Sequence, residues 1–368
     1  MVRVLCFGVS LVLGGVSKTV IEYYKRFNHQ RIVFDFEILA DVEPLFENVV
    51  ASTGSKIYTN CRLRDGVLRN IVNKYKHLRT EHYDAIYSHN GFKALPELLL
   101  ATILGVKKRI VHSHTANESE TFARWILRKI LSFLVSIVAT DLFACSHEAG
   151  LWAFGKRACG SEKFRIVRNA IDLDAFGFDK DRRDRIRATL GVQGKLVIGC
   201  IGRFSFEKNH DFLIEIFREL KDQRNDCVLM LVGDGELLTD IRCKVQRYGL
   251  ENSVIFLGAQ ESVHDWVQAM DVFVLPSLYE GFGTVFLEAQ AVGIRCYGSK
   301  ERVPEAVKLS ALMSFVSLSE SPKAWADRIL ADHRMSEERI DVRDELVHAG
   351  YDINIEAPKL EELFLAGK

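Results

Sequence analysis

The chain is expected to be an α/β protein built from two doubly wound domains, and three features carry that expectation. Short apolar segments alternate with amphipathic helical segments almost from end to end. Several apolar segments run straight into a glycine-bearing loop, as buried parallel strands do when helices cover both faces of a sheet. The length, 368 residues, is about twice that of a typical domain.

In order along the chain, residues 2–9 form a first strand, Gly14-Gly15 a turn, and residues 18–27 a helix. Residues 34–39, 84–88, 109–111 and 141–144 are further strands, residues 126–138 are the most apolar helix, and 164–167 are strand-like. The second half is more regular. Strands at 195–201, 227–232, 254–257 and 271–275 alternate with helices at 211–222, 236–248, 263–270 and 284–292. Phe212, Leu213, Ile216, Phe217 and Leu220 share one face of the helix at 211–222. Gly249 and Gly293 stand where helices stop, and Ser262 where one begins. The boundary is expected near Asn169-Ala170-Ile171-Asp172, dividing the chain into domains 1–172 and 173–352. A final helix at about 353–368 is expected to pack back on the first domain. No Gly/Ser-rich linker, internal repeat or low-complexity segment is present.

Composition excludes several classes. With 48% hydrophobic and 27% charged residues, the chain is neither disordered, collagen-like nor a coiled coil. Lys+Arg and Asp+Glu are equal at 49 each, which argues against a nucleic-acid-coating protein. The zero is uneven: residues 1–170 carry 24 basic and 15 acidic residues, and the remainder 25 and 34. The eight cysteines are scattered without a Cys-x-x-Cys pair, so reduced thiols in a cytoplasmic protein are expected rather than disulfides or a zinc site. The N-terminus lacks a small-residue cleavage site, and no apolar run approaches the length of about eighteen residues that a membrane-spanning helix needs.

In open α/β sheets ligands bind beyond the carboxyl ends of the strands, which directs attention to the loops there. After residues 195–201 comes Gly202-Arg203-Phe204-Ser205-Phe206-Glu207-Lys208-Asn209-His210. A guanidinium and an ammonium placed five residues apart, just before a helix, suit a polyanion such as a diphosphate; two solvated surface charges are the alternative. After 271–275 comes Pro276-Ser277-Leu278-Tyr279-Glu280-Gly281-Phe282-Gly283-Thr284. Its glycines let backbone approach a ligand, Thr284 can cap the helix, and the first helical amides offer an anion site. Glu280 precedes that helix, and Glu288 lies about 6 Å inside it at 1.5 Å per residue. Carboxylates repel a diphosphate but accept hydrogen bonds from hydroxyls, so phosphates flanked by hydroxylated rings, as in a nucleotide sugar, fit this loop. Gly233-Asp234-Gly235-Glu236 is expected to serve structure before function, and Gly258-Ala259-Gln260-Glu261-Ser262 either floors a nucleobase or merely joins strand to helix. Position 238 is Leu, so the third glycine of Gly-x-Gly-x-x-Gly is missing, which counts against a nicotinamide dehydrogenase. In the first half, His112-Ser113-His114 follows a strand. A histidine there can donate to a hydroxyl or a developing charge, and with no third ligand evident nearby a metal is not expected.

Taken together, Gly202-Arg203 with Glu207-Lys208-Asn209, Val232-Gly233-Asp234-Gly235, and Glu280-Gly281-Phe282-Gly283 with Glu288, separated from Glu280 by seven residues, resemble retaining glycosyltransferases of the GT4 family. Asn169-Ala170-Ile171-Asp172 and His112-Ser113-His114 fall in the same order, so the resemblance covers nearly the whole chain. Ala144-Cys145-Ser146 and Ala349-Gly350-Tyr351-Asp352 tilt it toward bacterial enzymes of exopolysaccharide and capsule synthesis. The resemblance implies a GT-B fold, two Rossmann-like domains facing across a cleft, with an acceptor-side N-terminal domain and a donor-holding C-terminal one. It implies transfer of a hexose or N-acetylhexosamine from a UDP-linked or related donor, with retention of configuration and without a metal or other cofactor. As residues of the reaction centre it implies His114, Glu280, Arg203 and Lys208. For the donor it implies Gly15, Arg203, Lys208, Glu280, the backbone of Gly281, Phe282, Gly283 and Thr284, and Glu288 on the ribose hydroxyls. The chain departs from the family at Ala170, where glycine is usual, and at Val16-Ser17-Lys18, which replaces the common small-residue–glutamate pattern and bears on the acceptor. A nucleotide-sugar epimerase or hydrolase on the same fold, or a binding module without turnover, are the alternatives.

Residues 62–79 contain Arg62, Arg64, Arg69, Lys74, Lys76 and Arg79 against only Asp65, and residues 122–138 combine Trp125, Phe133 and an apolar face with Arg124, Arg128 and Lys129. Basic residues interleaved with apolar ones suit an anionic membrane surface, while a core helix with a charged edge is the alternative. The expected partners are therefore a nucleotide sugar, a glycan or lipid-linked glycan acceptor and the inner face of the cell membrane, with no nucleic acid.

Overall fold

A computed structural model describes residues 1–10, 15–39, 44–62, 65–114, 121–260, 262–335 and 338–366. Gly14, Arg64 and Glu261 lie outside the described residues. The chain divides into two units, residues 1–171 with 350–368, and residues 172–349.

In the first unit a seven-stranded sheet comprises β1 (Val2–Phe7), β2 (Ile32–Ile38), β3 (Ile57–Thr59), β4 (Ala85–Ser88), β5 (Lys108–Ser113), β6 (Asp141–Ala144) and β7 (Phe164–Ile166). Its order is β3-β2-β1-β4-β5-β6-β7, all parallel, with Val4 opposite Phe34 and Cys6 opposite Phe36. The order turns back between β1 and β4, the position at the carboxyl edge where such sheets bind ligands. One core is aromatic. Tyr24 stacks on Phe34 at 5.1 Å, and Phe364 meets both Phe34 and Tyr87 edge-on at 5.1 Å. Phe364 belongs to the helix Ile353–Leu365, whose start is capped by the Asp352 carboxylate accepting from the Asn354 amide at 2.9 Å. Just before that helix, Asp352 pairs as a parallel bridge with Ile171, so the chain's last segment is tied to the first unit by backbone as well as by rings.

In the second unit a six-stranded sheet comprises β8 (Leu196–Ile201), β9 (Cys227–Val232), β10 (Val254–Phe256), β11 (Val272–Leu275), β12 (Arg295–Ser299) and β13 (Met313–Val316). Its order, β10-β9-β8-β11-β12-β13, is again parallel and turns back between β8 and β11. Both units are therefore doubly wound α/β folds. β3, β12 and β13 are absent from the sequence-based assignment for physical reasons. β3 is a three-residue edge strand, half exposed, and the Arg-Cys-Tyr-Gly-Ser of β12 is not an apolar run. Ser262 does not cap the next helix: that helix is His264–Ala269, and the Ser262 hydroxyl goes to the His264 ring instead.

The helix Lys180–Leu190 starts on an Asp179 cap and ends at Gly191 in the left-handed region. It is polar, and charge rather than an apolar stripe holds it. Arg187 bonds Asp271 at 3.0 Å and the Ala269 carbonyl at 2.8 Å, and Arg183 pairs with the other oxygen of Asp271. Asp271 also accepts the Val197 amide at 2.8 Å, so one carboxylate ties the helix to the amino ends of β8 and β11. Burial pushes the Asp271 pKa up, but Arg183, the Val197 amide and Arg187 outweigh it and leave it below the usual value. A depressed carboxyl pKa contributes stability that is present above the unfolded value of about 3.9 and is lost as pH falls toward the folded value. The second unit is therefore expected to lose urea resistance below about pH 4, followed by tryptophan fluorescence. Asp271→Asn is expected to remove most of that acid dependence and to cost about 3 kcal/mol at neutral pH by leaving the buried Arg187 and the half-buried Arg183 guanidinium groups uncompensated.

Candidate active site

The carboxyl edge of the second sheet is assembled from loops that touch through backbone. After β8 the chain runs through Gly202, Arg203 and Phe204, and after β9 through Gly233, Asp234 and Gly235. A Cβ on Gly233 would lie 2.0 Å from the Gly202 carbonyl oxygen, and one on Gly235 2.5 Å from that of Phe204. Only glycine fits at either position. The Gly202 amide donates to Val232 at 2.9 Å, the Phe204 amide to Asp234 at 3.0 Å, and the Leu237 amide back to Phe204 at 2.9 Å. The Gly233 turn is thus the platform on which the Arg203 loop rests.

Phe206–Lys208 form one short helical turn, and Asn209 adopts φ 55°, the only left-handed non-glycine among the described residues. That reversal starts the helix His210–Gln223 and turns Lys208 across the switch point toward the loop after β11. There the Lys208 ammonium meets the Glu280 carboxylate at 2.5 Å. The same Glu280 oxygen accepts from the Ser277 hydroxyl at 2.8 Å, and the Ser299 hydroxyl in turn donates to the Ser277 carbonyl. The Asn209 side-chain amide reaches the Pro276 carbonyl at 3.0 Å, and the Leu278 amide reaches the Glu207 carbonyl at 2.7 Å. Loops far apart in sequence are thus held as one body. Arg203 is exposed at its rim; its carbonyl accepts from the Ser205 amide at 2.8 Å, while its guanidinium has no hydrogen bond or ion pair among the described residues. Beneath them His210 stacks on Phe204 at 4.2 Å, and burial, with Lys208 adding to it, pulls its pKa down to about 4.

Gly283 stands at the start of the helix Thr284–Ala291 with φ 79°, where a Cβ would press on the Phe286 ring at 2.9 Å. Thr284 is the first helical residue and not the cap, because Gly283 already occupies the cap position. The first amides of this helix have no helical carbonyl to receive them, and the positive end of its dipole lies beside Glu280. Glu288 sits one turn further in and is buried. The edge therefore joins two cations, a carboxylate already hydrogen-bonded and a helix start, the chemistry of an anion held next to hydroxyl groups.

In the first unit, Gly15 opens the helix Gly15–Tyr24, where its carbonyl accepts from Thr19 at 2.9 Å and a Cβ on it would meet nothing within 4 Å. His114 is buried at the end of β5, with Nδ1 3.3 Å from the Asn169 side-chain oxygen and Nε2 2.8 Å from His89 Nδ1. Both ring nitrogens are engaged, so a contact from His114 to any ligand requires one of them to be released. Burial lowers the pKa values of all three histidines here: His114 to about 4, His89 and His112 well below the ordinary value, so the rings are neutral. His89 corrects the sequence reading of this loop: a third imidazole does stand beside His112 and His114, and the three form a group with the composition of a metal site. It was missed because His89 lies 25 residues before His114. The signal that finds it is topological, since β4 and β5 are neighbours and both loops leave the same edge.

Three comparisons with known proteins bear on this geometry. The sequence profile of the glycosyl transferases, group 1, matches residues 182–340, which include the loops just described. EpsF of Bacillus subtilis (strain 168), named as a glycosyltransferase, is 30% identical over 348 residues, 92% of this chain and 90% of its own. UDP-Gal:alpha-D-GlcNAc-diphosphoundecaprenol alpha-1,3-galactosyltransferase of Escherichia coli is 26% identical over 303 residues, 77% of this chain and 76% of its own. Among solved structures, Anabaena HepE in complex with UDP and glucose superposes with a TM-score of 0.79 at 22% identity, over the full length of both chains. With that length of match to EpsF and that fold, the chain belongs to the group 1 glycosyl transferases, GT4-type proteins of the GT-B fold.

Proposed function

We propose that the protein is a retaining transferase that moves a hexose or N-acetylhexosamine from a UDP sugar to a lipid-linked glycan during cell-surface polysaccharide synthesis. The observation that carries this reading is the Lys208–Glu280 pair at the switch point, flanked by an exposed Arg203 and by the start of the helix Thr284–Ala291. The names of relatives support its two finer parts. Similar structures hold UDP or UDP-glucose, and similar enzymes act on diphosphoundecaprenol-linked sugars.

The transfer follows from the charges. As the sugar C1–O bond breaks, negative charge grows on the departing diphosphate. Arg203, Lys208 and the amides at Gly283 and Thr284 are fixed donors that stabilise it more in the transition state than in the ground state. These groups supply the positive charge, so the step needs no divalent ion. Glu280 accepts from a sugar hydroxyl and Glu288 from the ribose. The acceptor oxygen bonds to C1 from the face the diphosphate leaves, and its proton passes to the leaving phosphate oxygen, so configuration is retained with no covalent sugar–enzyme intermediate. The N-terminal unit serves the acceptor.

A lipid-linked acceptor calls for a membrane-facing surface, and the helix Phe122–Val138 supplies one by facing the unusual way. It buries Arg128, Ser132 and Val135 and leaves Phe122 76%, Leu127 56%, Ile130 53%, Phe133 57% and Ile137 58% exposed. The Arg128 guanidinium turns inward onto the Trp152 carbonyl at 2.7 Å, while Arg124 and Lys129 stay outside among the apolar residues. Beside it the helix Leu95–Ile103 exposes Leu99 and Ile103, and the helix Val67–Thr80, packed against Leu95–Ile103, exposes Leu68 and Val72. Among the described residues no helix is long and apolar enough to cross a membrane, so this face would lie on the surface.

Arg203→Ala and Lys208→Ala are each expected to lower kcat for transfer by about a hundred- to a thousand-fold, measured with a UDP sugar and a diphospholipid-linked acceptor, with the anomeric configuration of the product read by NMR. Unchanged turnover in both variants contradicts the reading, and release of free sugar at the same rate without acceptor points to a hydrolase instead. Ile130→Asp combined with Phe133→Asp is expected to abolish sedimentation with vesicles containing anionic phospholipid. Both positions are exposed, so stability should change by less than about 0.5 kcal/mol each.

A further inference from the structure

His89, His112 and His114 bring three imidazoles together at the carboxyl edge of the first unit's sheet, and one ring nitrogen of each lies within 4.8 Å of the other two. The arrangement goes further than proximity. His112 and His114 are 2% and 7% exposed, and each is gripped through Nδ1 by a neutral oxygen: the Tyr87 hydroxyl at 2.6 Å for His112, the Asn169 side chain at 3.3 Å for His114. With Nδ1 anchored in both residues, Nε2 of His112 is left without a partner, and Nε2 of His114 faces His89 Nδ1 at 2.8 Å. Metal-ligating histidines are oriented in this way, their second nitrogen fixed by an oxygen outside the coordination shell. The Nε2 of His112 is buried and has no partner of good hydrogen-bond geometry. A buried polar atom without a partner carries a cost that a ligand removes.

From this juxtaposition we infer that His89, His112 and His114 form a binding site for a divalent transition metal of the zinc type, an inference that does not rest on the proposed transfer. His112 and His114 ligate through Nε2, and His89 supplies the third nitrogen. A tetrahedral zinc with bonds of about 2.0–2.1 Å holds its ligand nitrogens roughly 3.3 Å apart. The His89–His114 pair, now at 2.8 Å, has to open by only about half an ångström. Three protein nitrogens leave a fourth position for water or another ligand. An all-imidazole set favours zinc, cobalt, nickel or copper and rejects magnesium and calcium, which require oxygen ligands. With no carboxylate in the set, the ion keeps its full charge.

The test is equilibrium dialysis of the full chain against ZnCl2 with quantitation of bound metal, repeated with CoCl2 while visible absorption is recorded. The wild type is expected to retain one zinc per chain in the presence of excess Mg2+ and to give the intense bands of tetrahedral cobalt. His112→Ala and His89→Ala are expected to weaken binding by about a hundred-fold or more. Tyr87→Phe, which removes one hydroxyl and keeps the ring that packs on Phe364, is expected to weaken it by about 10–100-fold and guards against misfolding as the cause. No stoichiometric zinc on the wild type overturns the inference, as do weak octahedral cobalt bands or variants that bind as tightly as the wild type.

Discussion

A single carbonyl oxygen sets the geometry of the ligand-facing edge of the C-terminal unit. Gly202 O occupies the space where any side chain at position 233 would stand, and that contact lets the loops after β8 and β9 close on each other. With the Arg203 loop seated there, the left-handed Asn209 turns Lys208 toward Glu280. The rest of the edge is arranged around that ion pair. Ser277 shares the Glu280 oxygen, Ser299 holds Ser277, and the Asn209 side chain and the Leu278 amide stitch the two loops by reaching carbonyls across them. A charge pair of this kind costs desolvation, so its expense makes most sense where a ligand is to exchange with one of the partners. A diphosphate arriving at Lys208 is such a ligand, and a sugar hydroxyl arriving at Glu280 is its complement.

Much of this was legible before any coordinates. Apolar runs such as 195–201 and 227–232 read as buried parallel strands, and the rule that ligands gather beyond the carboxyl ends of strands points to the loops that follow them, with the paired charges and glycines favouring those after β8 and β11. The fold and the family follow from those runs and from the order of the short motifs. The sequence was silent where the deciding contact is between backbones or between distant turns. Gly233 reads as an ordinary strand-to-helix turn until the Gly202 carbonyl is seen against it. Thr284 reads as a helix cap, yet Gly283 holds that place because the Phe286 ring fills the space a side chain would need. His89 belongs with His112 and His114 through the adjacency of β4 and β5, which no local pattern reveals.

The helix Phe122–Val138 is the sharpest case of pattern and packing diverging. An apolar helix in a soluble domain normally turns that face to the core, but here Arg128 and Ser132 go inward while phenylalanine, leucine and isoleucine go outward. The inversion is a property of the first unit, which also carries the excess of basic residues. The acidic excess lies with the second unit, where the cations that matter are few and placed. Uneven charge along the chain is thus consistent with two units that meet different surroundings.

The account stands on a diphosphate being gripped by Arg203, Lys208 and the start of the helix Thr284–Ala291. A crystal structure of the chain with UDP tests this most directly. The account predicts phosphate oxygens within hydrogen-bond distance of the Arg203 guanidinium and the Lys208 ammonium, with the Gly283 and Thr284 amides alongside and the ribose hydroxyls on Glu288. UDP bound away from these groups, with the Lys208–Glu280 pair undisturbed and Arg203 still pointing into solvent, would contradict it.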